Sequence, residues 1–577
     1  MWLPIAAQLA LAKNWEEPGV SLLTPKIGDT VLDLKVTNAR IATLDERNPT
    51  AHTLGVLHGR IVGLDEHVAH LEARATLDCG GRVVVPGFGD AHNHMAWFGQ
   101  TFSELDLSTC TTVQDVYAAV ARHAEGLAAS AWIVASGYDD TVMGDHPHRL
   151  GLDSAAGKHP VWLKHRSGHM CVVNTWVLDR AGILDGTAQL PEGGMVVLDA
   201  AGSPTGLLQE QAQTLVSALL LPYSTNDLAE AIARASAAYA AEGLTHVTEA
   251  GIGAGWIGRS PVELAAYVAT QQAGELKTRV QLMVSSDALH PLAAHADDHA
   301  TFGLDLGLVT GFGDDHIRLG AMKIFIDGSL IGRTAAVTQP FCDHGHTTGS
   351  YQLSVPELTA RIRSAHAAGW TVAAHAIGDE AIDVALSAFE SAQREHPRPH
   401  VRHRIEHAGI VRPDQVARFA LLGVTPVPQP RFLFEVGDTI IDAVGPDRMD
   451  WVYRHRTFLE SGVRVPGSSD RPIAAGSPLV GMQSMVQRRT SRGTVLGPHE
   501  TVTAAQALRA YTVDAAWVAG DDDHRGTLTP GKLADFVFLS NHPEEVVPDD
   551  IGDIAVLATF VHGRCVHGAD LMTTLGL

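Results

Sequence analysis

A (β/α)8 TIM-like barrel of the α/β class, carrying a small composite β-sandwich built from both chain ends, is the fold this sequence predicts. Three observations predict it. From Val31 to Val85, runs such as "VLDLKVTNARIATLD" and "HTLGVLHGRIVGLDE" alternate and are separated by Asn, Gly and Asp, as in hairpins. After Asp90, alanine-rich helical stretches alternate with short β-branched runs, the pattern of strand–helix units around a parallel sheet. Near the C-terminus, "GTLTPGKLADFVFLS" and "VLATFVHGRCVHG" return to short strands with turn residues. The expected division is an N-terminal extension at 1–30, a composite sandwich from 31–85 plus 526–577, and a barrel with insertions at 86–525.

Bulk properties agree with that division. The 577 residues exceed one compact core, and a barrel takes ~250 of them or more. Hydrophobic residues make up 45% and charged residues 19%, a globular composition. A net charge of -23 disfavours nucleic acid or an anionic membrane surface, which need clustered Lys and Arg. The expected partner is a small-molecule substrate, with homo-oligomerisation left open. Five scattered cysteines without CxxC spacing argue against a disulfide framework and fit a reducing cytoplasm. The start, "MWLPIAAQLALAKNW", lacks a basic n-region and reads as a packing or oligomer-contact helix rather than an export signal. No run has the ~20 apolar residues of a membrane span.

Taken in order, the elements carry chemistry at their ends. "VVVPGFGDAHNH" is a β-branched strand broken at Pro86-Gly87, after which His92 and His94 stand two positions apart. In extended chain, residues i and i+2 share a face, so both imidazoles can converge on one divalent transition metal. "TTVQDVYAAVARHAEGLAA" and "DLAEAIARASAAYAAEGL" read as helices, and "WIVASG", "PVWLKH" and "THVTEAG" as strands between them. Lys323 lies inside the apolar run "RLGAMKIFIDG", where an amine loses its charge or gains a partner, Asp327 or Glu406 being available. His375 ends "WTVAAHAIGD", His407 ends "VRHRIEHAG", and Asp470 ends "VRVPGSSDRP". Singly, each has a bland alternative as a satisfied core group or, for Asp470, a helix cap. Together, five of the six are metal-ligand types, each at a predicted strand end and in barrel order, the functional face of a barrel.

Those motifs, with "KIFIDGSLIGRTAA", "RIEHAGIVRPDQVARFALLGVTPVPQP", "GSSDRPIAAGSPL", "LDSAAGKHPVWLKHRSGHMCVVNTWVL" and "GLLQEQA", resemble the metal-dependent amidohydrolase superfamily. The likeness is to its third family, the YtcJ-like enzymes that include N-substituted formamide deformylases, and runs from near Val31 to the end. The resemblance implies one or two divalent ions, zinc first, with His92 and His94 on the deeper ion. It implies Lys323 carboxylated as a bridge, His375 and His407 on the second ion, and Asp470 binding metal and moving protons. Two departures, Glu249 where relatives often carry Asp and Ser167 in place of a common Asp, are expected to lie away from the ligands.

The implied activity is hydrolysis of an amide-type C–N bond, in an N-substituted formamide or other N-acyl compound, by metal-activated water. Alternatives on the same site are a deaminase or a cyclic-amide hydrolase. A third, of another class, is a non-catalytic binding protein, disfavoured because every ligand position is filled. Tyr138, His169, Asp327 and Arg333 are the candidate substrate-lining residues, with Arg333 equally an ion-pair partner for Asp327.

Overall fold

The structure, a computed structural model, describes residues 31–569 apart from 256, 296, 299, 300 and 346. The helix expected within 1–30 lies outside the described residues.

Seven strands form one parallel sheet in the order β7-β6-β5-β4-β3-β2-β1. They are β1 (Phe88–Asn93), β2 (Leu244–Ile252), β3 (Arg279–Ser285), β4 (Ile317–Phe325), β5 (Val372–Ala376), β6 (Arg404–His407) and β7 (Thr425–Val427). β1, β2 and β5 to β7 are buried at every position, as expected for strands covered on both faces. Helices such as Val355–Ala367 and Asp379–Glu395 cover the outside, their apolar faces packed on Met322, Val372 and Ile405.

The eighth strand expected of a full barrel is replaced by an irregular segment, Val463–Asp470. Pro466 has no N–H to give a ladder, and a Cβ at Gly467 would meet the Tyr511 ring at 2.5 Å. Specific bonds hold the segment between β1 and β7 instead. Ala91 N–H donates to Gly467 O at 3.0 Å, Asp470 N–H donates to His92 O at 2.7 Å, and Ser468 Oγ donates to Pro428 O at 2.8 Å. The barrel is therefore nearly closed by backbone and hydroxyl bonds rather than by a strand.

The helical readings near residues 113 and 225 correspond to Val113–Ala124 and Thr225–Ala241. "WIVASG" and "PVWLKH", however, are not barrel strands. Ile133–Tyr138 and Val161–His165 lie in a separate six-stranded sheet inserted between β1 and β2. That sheet has its own core around Leu107, Val120, Leu163 and Val172, which local alternation could not distinguish from a barrel's.

The chain ends meet in another six-stranded sheet. Val83–Pro86 pairs antiparallel with Phe536–Leu539, which pairs with Val556–Val561. A four-stranded sheet containing Leu34–Thr37 and Leu54–Leu57 shares a core with it, Leu34, Val56, Val84, Phe536 and Phe560 being among its members. Pro86-Gly87 is the crossing from this end sheet into β1, where a Cβ on Gly87 would meet Thr245 at 2.3 Å. A buried ion pair fastens end sheet to barrel: Arg279 at the start of β3 donates to Asp535 at 2.7 and 3.0 Å.

Candidate metal centre

His92 occupies the penultimate position of β1, and His94, outside the strand with φ −119° and ψ 80°, precedes the helix Met95–Thr101. Both rings nonetheless approach one carboxylate oxygen. His92 Nε2 lies 3.2 Å and His94 Nε2 3.0 Å from Asp470 Oδ1. The His407 ring lies 5.0 Å from that of His92 and 4.5 Å from that of His375. Ligating atoms of His92, His407 and Asp470 fall within 4.8 Å of one another.

Each ring is oriented from behind. His92 Nδ1 meets the Glu406 carboxylate, His94 Nδ1 lies 3.5 Å from Glu249 Oε1, and His407 Nδ1 lies 2.7 Å from Gln429 Oε1. With Nδ1–H donated outward, the Nε2 lone pairs of these rings are left as ligand atoms. His375 is reversed: its Nε2 bonds Gly328 O at 2.9 Å, which leaves Nδ1. Glu249, expected away from the ligands, is thus in contact with one; it also accepts from Tyr267 Oη at 2.7 Å and Ala96 N–H at 3.1 Å.

The donor set fits a divalent ion. Lys323 Nζ is buried without a hydrogen bond, and His92 Nε2 faces the Asp470 carboxylate at 3.2 Å. Lys323 pairs with neither Asp327 nor Glu406, and burial pushes its amine down to about 8. Burial likewise pushes His407 down to about 3 and His375 well below its usual range, keeping both rings neutral as metal ligands must be. Burial would raise Asp470, but the His92 and His94 rings outweigh it and hold the carboxyl well below its ordinary value. Glu406 is also held low against burial, by Arg404 and His92.

Strained backbone gathers here. His407 has φ 68°, Ala408 44° and Asp470 58°, left-handed values that cost non-glycine residues ~1–3 kcal/mol each and persist only under strong constraint. Asp470 does not end a strand, as its sequence context suggested; its position comes from the His92 O bond and from Asp90, which binds Ser469 N–H at 3.1 Å.

The candidate lining residues separate. His169 is near the centre, its ring 5.6 Å from His375 and its Nδ1 2.8 Å from Glu210 Oε2. Asp327 is fully buried; it accepts backbone N–H groups from Ala336, Ile377 and Gly378, and its Oδ1 lies 3.7 Å from His375 Nε2. Arg333 pairs with Asp343, not Asp327. Tyr138 is fully buried in the core of the inserted sheet. Sequence reasoning missed Glu249, Gln429 and Glu210 as partners of site histidines; the signal for Arg404 and Glu406 was two charges of one parity inside the buried strand "RIEH".

A second acidic group, Asp139, Asp140 and His165, has the residue types of a metal site. Ser167 N–H donates to His165 Nδ1 at 3.1 Å, and His165 Nε2 lies 2.8 Å from Asp140 Oδ1.

A family model described as an amidohydrolase family matches residues 75–567. The chain is 31% identical over 497 residues to YtcJ of Bacillus subtilis (strain 168), covering 85% of this chain and 90% of that one. It is 31% identical over 551 residues to the N-substituted formamide deformylase of Arthrobacter pascens, covering 92% and 97%. Among solved structures, a metal-dependent hydrolase from Pyrococcus furiosus is similar at TM-score 0.68 and 27% identity, covering 89% of this chain and 100% of that one.

Proposed function

The chain belongs to the amidohydrolase family and is a metal-dependent hydrolase of carbon–nitrogen bonds; from that premise we propose that it cleaves an N-substituted formamide or another N-acyl amide. The observation that carries this reading is the convergence of His92, His94, His407 and Asp470, each histidine oriented by a partner, beside the unsatisfied Lys323 amine.

His92, His94, His375, His407 and Asp470 would hold one or two divalent ions, zinc being our assignment. Such an ion, when bound, lowers the pKa of water from 15.7 to ~7 and polarises a substrate carbonyl. Lys323 would carry a carboxylate on Nζ, which turns a desolvated amine into an anionic oxygen donor and removes its burial penalty. Asp470 accepts the proton of the attacking water and passes it to the leaving nitrogen, as base and then acid. Glu406, Glu249 and Gln429 keep the imidazole donors aimed. We also read the two end sheets as one composite sandwich, 31–85 with 526–577, around a barrel at 86–525.

The test is a hydrolysis screen of N-formyl, N-acyl and cyclic amides on metal-replete protein, reading amine release. Turnover of N-formyl or N-acyl amides that chelation abolishes and metal restores is the expected result. Turnover confined to cyclic amides or to deamination would overturn the substrate assignment.

A further inference from the structure

The inserted sheet gathers ligand-type side chains of its own, and its strand register assembles them. Ile133–Tyr138 and Val161–His165 run parallel, and Tyr138 stands opposite His165, so both strands end at one edge. The carboxyl ends of parallel strands are a common place for ligands. Asp139 and Asp140 follow Tyr138 there. The one-turn helix Asp140–Met143 then closes on Gly144, whose φ of 79° suits a residue without a Cβ. The chain turns back, and His146 faces Asp140.

Three side chains converge at that edge. His165 Nε2 lies 2.8 Å from Asp140 Oδ1, and His146 Nε2 lies 3.6 Å from Asp140 Oδ2. The two rings are 6.1 Å apart. Among the described residues no Lys or Arg pairs with Asp140; an imidazole faces each of its oxygens instead. His165 is 1% exposed, and its 2.8 Å approach to Oδ1 is off the angle of a hydrogen bond, leaving both atoms without one. The barrel centre has the same motif, two Nε2 atoms closing on one carboxylate. Asp139 is committed elsewhere: its Oδ1 accepts from Thr141 N–H and Oγ, and its Oδ2 from Arg166.

Both rings can present Nε2 as a donor atom. His146 Nδ1 lies 3.4 Å from Tyr138 Oη, and burial holds the ring below its ordinary pKa, neutral as a ligand must be. His165 Nδ1 has two contacts with Ser167, its N–H at 3.1 Å and its Oγ at 2.8 Å. A cation at Nε2 favours the tautomer whose proton sits on Nδ1 and is donated to that Oγ.

We propose that Asp140, His146 and His165 bind a divalent transition ion of the zinc type, at a second site separate from the barrel centre. Two imidazoles and one carboxylate suit zinc, whereas calcium and magnesium take oxygen ligands. The Asp140 and His146 side chains are 27% and 24% exposed, which gives the ion access from solvent. Once bound, it fastens the turn 140–146 to the end of Val161–His165. The site shares no residue with the amide-hydrolase reading and does not depend on it.

The test is the zinc content of the full chain after loading and gel filtration. Wild type should hold about one ion per chain more than His146→Gln or Asp140→Asn, because each variant removes a ligand. His92→Gln, in the barrel, should lose metal from its own centre. The double variant His92→Gln/His146→Gln should lose both amounts, since the two sites have no ligand in common. Equal zinc in wild type and His146→Gln overturns the proposal and leaves a carboxylate–histidine group. Losses that fail to add also overturn it, because they trace both variants to the barrel ions. Should Asp140→Asn not fold, the count on His146→Gln, at a partly exposed position, decides alone.

Discussion

Asp470 Oδ1 stands 3.0 Å from His94 Nε2 and 3.2 Å from His92 Nε2, so one carboxylate oxygen closes the gap between two imidazoles that begin the barrel and the loop that ends it. The contact joins residues 376 positions apart along the chain, and no local pattern could have specified its geometry. It also identifies the carboxylate best placed to exchange a proton at the point on which the rings converge.

Asp470→Asn should therefore keep the fold and most of the metal, because the histidines remain, while kcat falls by ~10²–10⁴-fold, the usual worth of general acid–base help. Turnover, metal content and thermal melting are measured on one preparation. A near-normal kcat with metal bound removes Asp470 from the mechanism. A collapsed melting temperature would mark it instead as a structural clamp on the Val463–Asp470 segment.

Glu406→Gln tests the support behind His92. Losing the carboxylate behind a metal-ligating histidine typically lowers metal affinity ~10–100-fold. It also leaves the buried Arg404 guanidinium without its partner, and breaking such pairs costs up to ~3–5 kcal/mol. Metal titration and denaturant unfolding should both shift; an unchanged metal affinity would refute the orienting role.

Lys323→Met separates stability from ligation. The variant removes an amine that burial disfavours, so the melting temperature of metal-free protein should hold or rise. If the carboxylated side chain bridges two ions, metal analysis of the reloaded variant should fall by one ion per chain. An unchanged count would exclude the bridge.

The Arg279–Asp535 pair predicts a pH-dependent link between barrel and end sheet. Burial opposes ionisation of Asp535, but Arg279 outweighs it and brings the carboxyl from 3.8 to about 2. A lowered folded pKa stabilises above the unfolded value and is lost as pH falls through the folded one. The gap corresponds to ~2 kcal/mol, present above pH ~4 and lost toward pH ~2. Unfolding free energies of wild type and Asp535→Asn should differ most near neutrality and converge by about that amount across the window. A pH-independent difference would refute the linkage.

Much of this architecture was legible in local patterns. The HxH pair, the lysine in an apolar run and the histidines ending "WTVAAHAIGD" and "VRHRIEHAG" stand out because strand periodicity and residue chemistry coincide there. The strands at both ends were visible for the same reason. What misled was equally local. "WIVASG" and "PVWLKH" carry the texture of barrel strands because a buried strand looks alike in any sheet. "GVRVP" looked like an eighth strand although Pro466 and Gly467 deny it a ladder.

Residue type and spacing were enough to single out candidate ligand residues and the alternation of strand and helix, because both are written within a few residues of one another. The chain's long-range packing assigned everything that depends on partners distant in sequence. Glu406 stands behind His92 across 314 residues, Glu249 faces His94, and Asp327 accepts backbone N–H groups from Ala336, Ile377 and Gly378. A carboxylate's chemistry depends on which cations and donors reach it, and those distances are properties of the folded barrel, absent from any window of sequence.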